Sequence, residues 1–450
     1  MITPGMKATP PRELPGKTAY INAHLVDPAN GLDEIGALLS DGESIADVGP
    51  DLFRGGSGWS VPDGIQVIDC AGQYLSPGFV DIRVEVGEPG QEHKGTLASV
   101  GRAATGGGIT TMVCLPNTEP VIDDMSVVEF VARRARKLGL TKVYPYGALT
   151  KGTNGQELAE IGMLREAGAV AFTDGTHATA NARVMAQAMS YAATFDLMIV
   201  QHPEEPQLTE DGVMNQGELC TRLGLSGIPP EAETIMVERD IRLAKMTGVR
   251  LHFAHISTAE SVDVIRKARA AGLPITCDTA PPYFALNETA VGDYRTFSKL
   301  SPPLRSEQDR QAIVAALVDG TIDAIASDHS PQDEEAKRVP FAQAAFGGVG
   351  LNTLLPLTLE LAHNEHISIM DAIALITNRP ADLMDLPAGR LTVGMAADLT
   401  LFDAQRGWKV DSGKLLSKSQ NTPFDGRPVQ GMVLRTVVDG RTVFQLDDEA

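Results

Sequence analysis

A chain of 450 residues with 58 acidic and 38 basic side chains carries a formal charge of −20. That charge argues against nucleic acid or an anionic membrane surface as a partner, because both want a basic patch. No run approaches the roughly 18 consecutive apolar residues of a transmembrane helix, and the four scattered cysteines (Cys70, Cys114, Cys220, Cys277) fit reduced thiols in the cytoplasm better than a disulfide framework or a zinc knuckle.

Residues 1–18 open with four prolines in seventeen positions, carry no apolar core of a secretory signal, and read as a flexible arm. From Ala19 the run AYINAHLVDP alternates apolar and polar positions before a turn, as a strand does. The same pattern returns near the end, in GRLTVGMAADLTLFD and VLRTVVDGRTVFQ. Residues 19–74 and 386–450 are therefore expected to build one small composite β-sandwich domain.

Residues 75–385 have another rhythm. Brief β-branched runs (TTMVCL, KVYPYGAL, AVAFTD, LMIVQH, VRLHFAH, LPITCDT, IDAIASDH) alternate with longer helical stretches. VVEFVARRARKLG, ELAEIGMLREAG, SVDVIRKARAAG and DRQAIVAALVDG each end in glycine, a common helix stop. Alternation of this kind predicts α/β architecture with a parallel sheet. With PGFVDIRV as the first strand, about eight units fit a (β/α)8 TIM-like barrel. An open doubly wound sheet is the alternative, but GGGITT at 106–111 does not match its phosphate turn.

Catalysis in such barrels sits where the strands end. Asp174, His202, His255 and Asp328 each follow a strand-like run directly. Singly, such an aspartate caps a helix and such a histidine packs in a core. Together, in strand register, they suit a zinc site or the relic of one. His24, His93, His177, His252, His363 and His366 read as surface or packing residues, and His329 beside Asp328 stays open.

PGFVDIRVEVGEPG, GRAATGGGITTMVCLPNTEPVID, AHISTAES, PPLRSEQDR and DGTIDAIASDHSP resemble the dihydroorotases of the cyclic amidohydrolase superfamily. The particular likeness is to the bacterial class with an aspartate bridge, and it runs from about Ile21 to Phe444. The resemblance implies a barrel with a composite β-sandwich, and closure of N-carbamoyl-aspartate to dihydroorotate, or the reverse, in pyrimidine synthesis. It also implies a two-zinc centre. His202 and His255 would hold one ion, Asp174 would bridge, Asp328 would ligate and carry the proton, and Asn117 would bind substrate. Related enzymes bridge with a carbamylated lysine, but residues 161–200 contain none.

Several positions depart from that pattern. Arg83 and Glu85 stand where the family has two ligand histidines, and Gly87 where it has a substrate-binding arginine. Ser301 replaces an asparagine, and Gln332 a histidine. Arginine has no lone pair to offer a metal, so zinc is expected at no more than one ion per chain, or none. The resemblance then implies a dihydroorotase-like protein, silent or weak, that supports aspartate carbamoyltransferase assembly. An active single-zinc dihydroorotase, or an amidohydrolase for a neutral amide, is the alternative. A homo-oligomer is expected. Arg83 is expected to pair with both Asp328 and Asp174, and the charged loop after Asp328 to be mobile.

Overall fold

The computed structural model describes residues 15–55 and 58–446, so most of the expected arm lies outside the described residues. Thr18, read as arm, instead opens the strand Thr18–Asp27. That strand pairs antiparallel with Leu32–Asp41 and parallel with Tyr74–Pro77. Tyr74–Pro77 pairs in turn with Leu399–Lys409, which continues to Pro428–Val438 and Arg441–Gln445. Strands from both halves of the chain thus share one eight-stranded sheet. Its apolar positions, among them Tyr20, Leu25, Leu38, Leu75, Leu399 and Val437, pack into a common core. The buried Asp27 carboxylate also accepts the Leu391 N–H at 2.8 Å, tying the first turn to the far end of the chain.

Between these strands runs the barrel. Its parallel strands are Phe79–Val84, Ile109–Cys114, Lys142–Pro145 continuing through Gly147–Ala148, Phe172–Thr173, Met198–Gln201, Arg250–Phe253, Ile275–Thr279 and Ala324–Ile325. The ring closes where Val84 bridges His329 and the Glu85 N–H donates to the His329 carbonyl at 2.8 Å. Strands covered on both faces lose the in-out alternation, and every residue of Phe79–Val84 and Ile109–Cys114 is buried.

The glycine stops act as the sequence suggests. Met125–Leu138 and Ile161–Ala167 end at Gly139 and Gly168 with φ of 60° and 114°, a left-handed conformation that costs glycine little. The second expected helix is shorter than its pattern, because ELAE stays outside it. Leu158 pairs with Thr150 in an isolated bridge, which fixes the loop that carries Thr150 to the barrel mouth. Among the described residues, no helix is long and apolar enough to cross a membrane.

The loop after Asp328 is folded against the barrel rather than free. It contains the short helix Glu334–Lys337, and Lys337 is only 3% exposed.

Candidate active site

A cavity of about 520 Å³ opens at the C-terminal ends of the barrel strands. Arg83, Glu85, Asn117, His202, Ser301, Asp328 and Gln332 line it. His255 and Asp174 stand behind that lining, both buried. His255 and Asp328 have φ of 41° and 52°. Non-glycine residues in this region are unusual and cluster at functional sites. Here they turn the chain sharply at two strand ends. Asp278 supports one turn: Oδ1 accepts the His255 N–H at 2.7 Å, while Oδ2 lies 2.8 Å from Nε2 of the buried His252.

The polar side chains form a continuous hydrogen-bonded row. Arg83 Nε donates to Asp328 Oδ1 at 2.9 Å, and Arg83 Nη2 to the Gly175 carbonyl at 3.2 Å. Asp328 Oδ2 meets His255 Nδ1 at 3.2 Å, and His255 Nε2 meets His202 Nδ1 at 2.7 Å. His202 Nε2 then meets Glu204 Oε2 at 3.1 Å, which also accepts from the Ser301 hydroxyl at 3.0 Å. Burial pushes the Asp328 carboxyl up, but His255 and Arg83 outweigh it and hold the group well below the usual carboxylate range. Burial, reinforced by the Arg83 charge, pushes the His255 imidazole down.

Asp174 is not part of this row. Its carboxylate accepts from the Thr150 N–H at 2.8 Å, the Thr150 hydroxyl at 2.7 Å and the Thr179 hydroxyl at 2.8 Å. The expected Arg83–Asp174 pair is therefore replaced by Arg83 and the neighbouring Gly175 carbonyl, because local hydroxyls already satisfy Asp174. Asn117 bridges the same turn, donating to the Asp174 carbonyl at 3.1 Å and accepting from the Thr176 N–H at 3.1 Å.

Gly87 shows why its position has no side chain. At φ +69°, a Cβ there would come within 2.6 Å of the Gly95 carbonyl oxygen and 2.8 Å of that of Gln91. The backbone has closed over the place where the motif resemblance puts an arginine.

Sequence reasoning missed several neighbours. Glu204, two residues past His202, was within reach of a strand-end argument. Thr179 carries no motif signal; Tyr283, in the Pro281-Pro282-Tyr283 run that stands where the resembled family has a PHH motif, brings its hydroxyl to 3.4 Å from Asp328 Oδ2. His177, read as a surface or packing residue, lines the cavity together with Lys94. His329 proves to be a closure residue. Burial pushes its pKa to about 3, and Nδ1 accepts the Gly350 N–H at 3.3 Å.

The comparisons bear on this arrangement. The Dihydro-orotase-like family profile matches residues 72–261. The chain is 44% identical over 431 residues to a dihydroorotase of Anaplasma phagocytophilum, with 95% of each chain covered. The chain belongs to the dihydroorotase family. A dihydroorotase of Desulforapulum autotrophicum is 45% identical over 427 residues, covering 95% of this chain and 98% of that one. Among solved structures, the L-hydantoinase (dihydropyrimidinase) of Arthrobacter aurescens superposes with a TM-score of 0.83 at 25% identity, covering 95% and 96% of the two chains. The family fold is the α/β barrel described above.

Zinc, which the motif resemblance implies, does not fit these side chains. The Arg83 guanidinium is bonded where an ion would meet Asp328. A guanidinium ~4 Å from a divalent ion, at an effective dielectric of ~20, costs about 8 kcal/mol. The two imidazoles spend a nitrogen each on one another, and Asp174 is saturated by hydroxyls and an amide. Among the described residues, no group of three or more His, Cys, Asp or Glu side chains is arranged to hold an ion.

Proposed function

We propose that this member of the dihydroorotase family serves pyrimidine biosynthesis without turning over carbamoyl-aspartate or dihydroorotate itself, and that it supports the assembly of aspartate carbamoyltransferase. The ion pair between Arg83 and Asp328 carries the reading. It ties up the aspartate that would move the proton, with a permanent cation in the space a metal would need.

The missing anchors point the same way. A dianionic substrate would find Gly87, Ser301 and Gln332 in place of an arginine, an asparagine and a histidine. Lost charge-assisted contacts are worth roughly 1.5–3 kcal/mol each. Asn117 remains, but its amide is engaged with the Asp174–Thr176 turn.

The test is zinc analysis and a dihydroorotase assay of the purified chain, alone and mixed with aspartate carbamoyltransferase. The expected result is no bound zinc, no turnover in either condition, and co-elution with the transcarbamoylase. One zinc per chain, with turnover abolished by Asp328→Ala, would establish the single-zinc enzyme instead.

A further inference from the structure

We propose that residues 330–347 form a proton-linked strap over the barrel mouth, clasped by two lysines that reach across in opposite directions. Ser330, Gln332, Ala345, Phe346 and Gly347 of this segment wall the cavity. Lys337 extends from the strap into the turn at 296–299, where its Nζ donates to the carbonyls of Thr296 at 3.2 Å and Lys299 at 3.3 Å. A third donation, at 2.6 Å, goes to Ala345 in the strap itself. Lys299 reaches back, donating to the Ala342 carbonyl at 2.9 Å, with its ammonium 4.6 Å from the Phe346 ring centroid and 5.8 Å from that of Phe341. Both lysines are 3% exposed. Asn421 ties the two ends of the strap together, donating to the Ser330 and Gly347 carbonyls at 3.2 and 2.9 Å.

Among the described residues, no carboxylate compensates these two charges. Of the acids nearby, Asp333 caps the Ala336 N–H and pairs with His93, and Glu334 pairs with the exposed Arg338. Lys418, which shares a surface pocket with Lys337, donates to the Glu92 carbonyl. Lys337 therefore faces three carbonyls and the charge of Lys299, and Lys299 faces a carbonyl and two aromatic rings. Burial pushes Lys337 down to about 7, helped by the Lys299 charge, and burial alone pushes Lys299 down to about 8.

Opening the strap returns both amines to water, where they bind protons up to about pH 10.4. Opening therefore takes up protons, and it becomes easier as the pH falls toward 7. Below that it levels off, because the closed form is protonated too. The strap is held more tightly at pH 8.5 than at pH 7.0, whether the mouth beneath it is catalytic or silent.

Hydrogen exchange of the full chain, corrected for intrinsic rates, tests this. Protection of the amides in 334–345 should rise roughly sixtyfold between pH 7.0 and pH 8.5, with barrel helices as the internal reference. Lys337→Met should flatten most of that dependence. Protection that is flat or falls with pH in the unmodified chain would overturn the proposal, and that measurement needs no variant to fold.

Discussion

Arg83 Nε and Asp328 Oδ1 lie 2.9 Å apart, across 245 residues of sequence, joining the end of the first barrel strand to the end of the eighth. Arg83 is 3% exposed and Asp328 17%, so the pair is largely withdrawn from water. A buried carboxylate needs a cation or donors close by. In this chain a covalently attached guanidinium meets that need, and it cannot leave, exchange or be chelated.

Arg83→Met keeps the apolar stem and removes the charge. Of its side-chain hydrogen-bond partners among the described residues, Asp328 would then keep His255 and Tyr283. Removing one partner of a buried pair costs about 3–5 kcal/mol, and the partial exposure of Asp328 puts the expected loss near the lower end. The pH dependence has a definite sign. Asp328 sits well below its unfolded value, so its contribution is complete above the unfolded pKa, about 3.9, and fades as the pH drops further. Thermal melting of the variant should fall clearly below that of the parent at pH 7, with the gap narrowing at pH 3. Equal melting at pH 7 would refute the role assigned to Arg83.

A reversal should also work in part. Arg83 and Glu85 alternate along one strand direction, so their side chains share a face. Arg83→His combined with Glu85→His removes the fixed cation and supplies two imidazoles beside Asp328. The double variant is expected to retain zinc through dialysis and to melt higher as zinc is added, by mass action on the folded state. The parent should show neither effect. Elemental analysis settles the matter: a parent chain that holds as much zinc as the double variant contradicts the misfit described above.

Much of this was legible before the structure. Continuous apolar runs marked the barrel strands because both faces of a parallel strand are covered, and a strand-end His or Asp points to the mouth whatever follows it. What stayed hidden were choices made by neighbours distant in sequence. Thr150 lies 24 residues before Asp174 with no spacing that links the two, yet it supplies two of the three donors that draw Asp174 away from Arg83. Lys337 belongs to the charged loop that is expected to be mobile, and only the carbonyls around it show that it is buried. Gly87 looked like a lost arginine; the nearby Gly95 and Gln91 carbonyls show that the backbone itself has moved in.

Thr150→Val tests the hold on Asp174. The swap keeps the shape and the backbone N–H but removes one short donor to a buried carboxylate, a loss of about 1.5–3 kcal/mol. Burial already pushes the Asp174 carboxyl up, and the hydrogen bonds from Thr150 oppose that. A folded-state pKa above the unfolded value means stability declines as pH rises through it. Losing a donor raises it further. The deficit of Thr150→Val should therefore be larger at pH 8 than at pH 4.5, as read from urea unfolding at both. A deficit that is larger at the acidic end would mean that Asp174 is not the group affected.

Gly175 tests the turn that joins Asp174 to Asn117. Its φ is +69°, and an added Cβ would lie 1.7 Å from Asn117 Oδ1. Gly248 has a similar φ of +76°, with nothing within 4 Å of an added Cβ. Gly248→Ala thus measures the conformational penalty alone, about 1–2 kcal/mol for a left-handed L-residue. Gly175→Ala carries that penalty and must also push Asn117 off the Thr176 N–H and the Asp174 carbonyl, two bonds worth about 1 kcal/mol each. It should melt well below Gly248→Ala. If the two variants melt together, the Asn117 contact adds nothing to the turn.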